Sequence, residues 1–174
     1  MRIGLVAVVT CLVASATVVG QSVDDPALRA QLESLFPDAV GFSPKEGDPP
    51  HFKAFGPADA DGKAPLLGFA FWTTELEPLE RAYDGPIKML VGMDVEGKLT
   101  GVIVVEHREP YGYFSIDLPG WPRQFVGKSV RDRFRVGEDI DAISRATVTV
   151  TSASRAVRNS ARRVARAYLT PPEQ

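Results

Sequence analysis

The chain has 174 residues, 44% of them hydrophobic and 24% charged, a composition that supports a packed domain and excludes low-complexity disorder. Twenty Lys and Arg against twenty-two Asp and Glu give a formal charge of −2, so no overall basic field points to a nucleic-acid partner. The one cysteine, Cys11, lies in an apolar N-terminal run, and the rest of the chain is therefore without disulfides, thiolate metal ligands or a cysteine nucleophile.

Met1 and Arg2 precede an uncharged stretch from Ile3 to Gly20, apolar or small throughout, which is the layout of a secretory signal. Residues 1–20 are read as that signal, cut after Ala16 or Gly20, with an uncleaved membrane anchor as the alternative. Either reading exports the following residues to a periplasmic or other extracytoplasmic space. Asp24 and Asp25 ahead of Pro26 open a helix to about Phe36, with Leu28, Leu32, Leu35 and Phe36 at helical spacing. From Pro37 to Gly62 the density of Pro, Gly and Asp predicts loop, with a brief edge strand at His51 to Phe55. Residues 21–62 are thus an N-terminal helix and loop region ahead of a domain at 63–170.

Leu66 to Thr74 is a β-rich apolar run. Ile87 to Asp94 and Lys98 to Glu106 flank Glu96 and Gly97 as a hairpin. Loops follow at His107 to Phe114 and at Leu118 to Pro122, and Ser129 is placed to cap a short helix over VRDRF. The last element is a helix from about Thr151 to Leu169, with Ala153, Val157, Ala161, Val164, Tyr168 and Leu169 on one face. Arg155, Arg158, Arg162, Arg163 and Arg166 form its basic outer side, either a solvated face or a dock for an acidic partner. Strands in the middle and helices at both ends imply an α+β fold, an antiparallel sheet flanked by helices.

The stretch from Asp141 to Thr147 reads DAISRAT. On pattern alone, Thr147, Thr149 and Thr151 alternating with Val148 and Val150 describe an amphipathic strand with its threonines in water. The heptad, however, resembles the D-x-x-[ST]-G-A-T motif of FMN-binding domains, found in the Rnf-type electron-transport complex, the sodium-pumping NADH:quinone reductase and the nitrous oxide reduction regulator. Two more tracts fall in the family's order. His107 to Gly112 (HREPYG) is similar to its H-x-E-T-P-G loop, with the Thr missing and Tyr111 intervening. Trp121 to Lys128 (WPRQFVGK) is similar to its W-x-x-x-F-x-G-K stretch. The resemblance covers roughly Leu67 to Leu169, and from Tyr83 to Pro110 it is strongest to the N-terminal domain of the nitrous oxide regulator.

The resemblance implies FMN esterified through its phosphate to Thr147 by a dedicated flavin transferase, with Asp141, Ser144 and Ala146 completing the motif. Arg145 stands where the family has Gly. A flavin ring wants flat apolar walls with a few polar groups at its edges; the candidate walls are Tyr111, Tyr113, Trp121 and Phe125, and the candidate edge groups His107, Glu109 and Lys128. No metal site is expected, because His51 and His107 are the only histidines and lie far apart in sequence. The implied function is an exported carrier passing electrons through FMN between membrane or soluble redox proteins. The alternatives are a flavin-dependent reductase of a small acceptor, or a flavinless sensor or binding module in which Arg145 has ended attachment.

Overall fold

In the computed structural model, which describes residues 23–169, Asp25 accepts the Ala27 N–H at 2.9 Å and Pro26 occupies the first turn of α1 (Pro26–Leu35). Both are favoured helix-start chemistry, and the helix ends one residue before the predicted Phe36. The signal and anchor expectations for residues 1–20 lie outside the described residues. Five strands follow: β1 (Gly41–Phe42), β2 (Phe52–Phe55), β3 (Leu66–Trp72), β4 (Lys88–Asp94) and β5 (Leu99–Glu106). They pair antiparallel in chain order, each with its sequence neighbour. The sheet is the expected antiparallel one, built as a meander. The two-residue β1, hidden in the loop-like stretch, pairs with β2 and extends the sheet by one short strand.

Side chains alternate across the sheet. Phe69, Phe71, Met89, Val91 and Met93 face the larger core, which α4 (Thr147–Tyr168) completes with Val150, Ala153, Val157, Ala161 and Val164. Ala70 and Leu90 face the other way, against Leu32 and Leu35 of α1 and Phe36 just past its end. Gly92 and Gly101 are cross-strand partners on that face. A Cβ on Gly101 would lie 2.8 Å from Leu35 Cδ2, and one on Gly92 would lie 3.1 Å from Leu35 Cβ, so the bare glycine pair is what lets α1 settle onto the sheet.

The hairpin turn is where the sequence puts it. Asp94 Oδ1 accepts the Glu96 and Lys98 N–H groups, and Gly97 supplies a φ of 81°. The strand predicted to Thr74 stops at Trp72, because the Thr73 hydroxyl turns aside to donate to Ile87 O and accept from Met89 N, opening the single turn α2 (Thr73–Leu76). The 118–122 loop contains a one-turn helix, α3 (Gly120–Arg123).

Two expectations fail. VRDRF is not a helix. Ser129 is held in a bridge to Lys98, Val130 N–H donates to Gly97 O, and Phe134 takes a φ of 52°, so the segment is pinned along the hairpin turn instead of coiling. The final helix begins at Thr147, four residues before Thr151, so the alternating Thr and Val residues form its first turn and the strand reading is overturned. Burial of Thr149 and Val150 against the core overrides the local preference of β-branched residues for a strand.

Candidate functional site

The DAISRAT stretch forms the approach to α4. Gln124 Oε1, just past α3, accepts the Asp141 N–H at 2.7 Å and fixes where the approach begins. Asp141 and Ser144 are exposed, and Ala146 is buried as the residue preceding the helix. Arg145 has a φ of 68°, the left-handed region that glycine occupies without cost and other residues rarely do. That conformation is the physical reason a glycine suits this position. The Arg145 guanidinium is exposed and bonds to no described residue.

Thr147 is the first residue of α4 and is exposed. Among the described residues no side chain caps this helix start. The amides of Thr147, Val148 and Thr149 have no helix carbonyl one turn back to bond, and the helix dipole leaves partial positive charge there. A hydroxyl, open amides and a guanidinium with no described partner thus belong to neighbouring residues, a set of groups suited to a phosphate.

Beside the approach lies a cleft of about 460 Å³ lined by Ser115, Leu118, Trp121, Gln124, Asp141 and Ile143, among others. It falls within the usual range of small-molecule sites. Trp121 is 2% exposed, and its buried indole Nε1–H has no hydrogen-bond partner among the described residues. Tyr111 and Tyr113 are exposed and clustered on Phe114, with ring centroids 5.5 and 5.0 Å from it. Phe125 is enclosed between Trp121 and Phe134 and does not line the cleft.

Glu109 is 6% exposed and joins three segments. Its carboxylate accepts the Tyr83 N–H at 3.2 Å, the Asp84 N–H at 2.7 Å and the hydroxyl of Thr149, the third residue of α4. An anion at this helix start is also favoured by the dipole. His107 supports the same loop: Nδ1 accepts the Glu109 N–H at 3.0 Å, so the ring proton sits on Nε2, which donates to Asp117 Oδ1 at 2.8 Å. Gly112 completes the loop, since a Cβ there would fall 2.1 Å from His107 Cε1. The H-x-E…G pattern thus has a structural cause, and its His and Glu hold the loop and the start of α4 together.

Lys128 pairs with Asp139 at 3.5 Å. Burial pushes the Asp139 carboxyl up, but hydrogen bonds from the Arg135 and Phe134 amides and the Lys128 charge outweigh it and hold the group below its ordinary range. Sequence reasoning passed over Gln124, Asp117, Asp139 and Thr149. Only Thr149 carried a signal, two residues beyond Thr147 on what proves to be a helix.

Residues 82–162 match the family model of the FMN-binding domain, a span running from just before β4 into α4. Two curated relatives are each named as the G subunit of an ion-translocating oxidoreductase complex. The one from Photorhabdus laumondii is 35% identical over 101 residues, covering 52% of this chain and 46% of that protein. The one from Shewanella baltica is 36% identical over 88 residues, covering 45% of this chain and 42% of that protein. The chain thus spans under half the length of either relative. Among the described residues no helix is long and apolar enough to cross a membrane.

Proposed function

We propose, for a chain that belongs through residues 82–162 to the FMN-binding domain family, that FMN is carried as a phosphoester on Thr147 and that the domain serves as an exported electron carrier. The observation that carries this reading is the exposed Thr147 at a helix start without a side-chain cap, with Arg145, whose guanidinium bonds to no described residue, two residues before it. A threonine hydroxyl is a weak nucleophile, so attachment requires a separate flavin transferase, to which the 141–147 stretch presents an accessible, rigidly anchored acceptor.

Once attached, FMN would supply reversible electron storage in its ring. The residues of the chain hold it there. The open amides of α4 and Arg145 meet the phosphate charge; Leu118, Trp121 and Ile143 give the neighbouring cleft its apolar walls. Glu109 and Thr149 fix the helix turn that bears the tether. The gain from a covalent link is retention, because a flavin with Kd on the order of 1 μM is held by only about 8 kcal/mol and would be lost by dilution outside the cell.

The relatives are named as subunits of an oxidoreductase complex, which favours redox proteins, membrane-bound or soluble, as electron donor and acceptor. The test is expression with and without a flavin transferase. Flavin fluorescence should stay with the denatured protein on a gel only when the transferase is present, and should vanish in Thr147→Val. Rapid exchange of electrons with a membrane fraction, without turnover of small acceptors, is expected of a carrier; efficient turnover of a small acceptor would make the protein a reductase instead.

A further inference from the structure

We propose that the groove between the β4–β5 turn and the last turns of α4 docks an acidic segment of a protein partner. The groove has a volume of about 650 Å³ and is lined by Val95, Val130 and Leu169 together with Arg131, Arg162 and Arg166. Most of the other arginines of α4 are committed elsewhere: Arg155 pairs with Glu80 at 2.8 Å, and Arg163 donates to Leu76 O at 2.9 Å. Within the groove Arg162 is held rigid by the Val130 and Asp132 carbonyls, both at 2.8 Å, which orient its charge without cancelling it.

Arg131 and Arg166 are exposed and form no ion pair with any described residue. The one carboxylate lining the groove, Glu96, is already paired with Lys98 at 2.9 Å, and the nearby Asp132 carboxylate accepts the Ser129 N–H. In a chain of net charge −2, three guanidiniums thus face one concavity that, among the described residues, holds a single carboxylate, itself paired with Lys98.

Charge complementarity calls for an anionic occupant. Val95, 46% exposed in the turn, and the partly buried Leu169 add apolar contact, which fits an acidic peptide segment bearing an apolar anchor. A membrane surface would meet the rims of such a groove and not its interior. α4 advances about 1.5 Å per residue, so Arg166 lies roughly 28 Å along the axis from Thr147. The groove is thus an anchoring site, separate from the flavin tether, and it stands whether or not Thr147 is modified.

The probe is a fluorescein-labelled Glu-rich peptide carrying a leucine, followed by anisotropy against the folded protein. Binding should weaken with salt and fall by about tenfold or more in Arg131→Ala/Arg166→Ala, while Arg81→Ala/Arg108→Ala, which removes two other exposed arginines, should leave it unchanged. The two groove residues are exposed, so both variants should unfold at the wild-type urea midpoint. Absence of binding, or equal losses in the two double variants, overturns the proposal. So does binding to phosphatidylglycerol vesicles but not to the peptide, or a dimer in light scattering that Arg131→Ala/Arg166→Ala dissociates, since the groove would then serve a membrane or a second copy.

Discussion

Replacing Glu109 by Gln tests whether one buried carboxylate fastens the start of α4. Glu109 accepts three hydrogen bonds, from the Tyr83 and Asp84 amides and the Thr149 hydroxyl. Hydrogen bonds to a charged group contribute about 1.5–3 kcal/mol each. Gln keeps one accepting oxygen, loses the charge and turns its NH₂ toward a donor, so at least one bond is lost and a buried N–H or O–H is left unpaired. The expected destabilisation is about 3 kcal/mol. Thr149→Val removes a single donor and leaves the carboxylate its two amides, so it should cost about 1–2 kcal/mol. If the pair acts as one unit, the double variant should be less unstable than the sum of the singles by about 1–2 kcal/mol. Urea unfolding followed by the fluorescence of Trp72 and Trp121 measures all four proteins. A loss under about 0.5 kcal/mol in Glu109→Gln, or strict additivity in the cycle, would refute the fastening role.

Three other outcomes are expected. Gly112→Ala should destabilise by about 2 kcal/mol or more, because the added Cβ would fall 2.1 Å from His107 Cε1 and displace the ring from Asp117; a wild-type urea midpoint would count against this packing. Arg145→Gly should stabilise the apoprotein by up to about 1 kcal/mol, since it relieves a φ of 68° and breaks no bond to a described residue; a clear loss would mean the side chain is engaged. His51 is 1% exposed, packed on Tyr168 and Phe69, with Nε2 bonded to no described residue; burial, outweighing the bond to Pro49 O, holds its pKa below the ordinary 6.5. The folded state then binds fewer protons than the unfolded one, so this contribution is complete above 6.5 and is lost as pH falls from there toward the lowered folded value. Urea midpoints measured from neutral to mildly acidic pH should fall in the wild type and fall less in His51→Gln.

The elements legible in the sequence are those whose local chemistry agrees with their packing. Asp25 and Pro26 start α1 as such residues do, and Gly97 turns the hairpin because a φ of 81° is needed there. The errors fall where tertiary contacts overrule local preference. The Thr-Val alternation at the start of α4 has a strand's periodicity, and only the burial of Thr149 and Val150, with Glu109 receiving the Thr149 hydroxyl across 40 residues of chain, makes it helical. Ser129 looked like a helix cap, but the bridge to Lys98 claims it. In the site, the glycine-like conformation of Arg145 was readable from the motif, whereas the roles of Glu109, His107 and Lys128 were not, because Thr149, Asp117 and Asp139 meet them only through the fold.

The most direct measurement is peptide mapping of protein secreted from cells that express a flavin transferase. Trypsin releases the peptide from Ala146 to Arg155, which contains Thr147, Thr149 and Thr151. Its mass should carry one FMN phosphoester, and fragmentation should localise that increment to Thr147. An unmodified peptide from a cell that flavinylates other substrates, or an increment on Thr149 or Thr151, would contradict Thr147 as the tether.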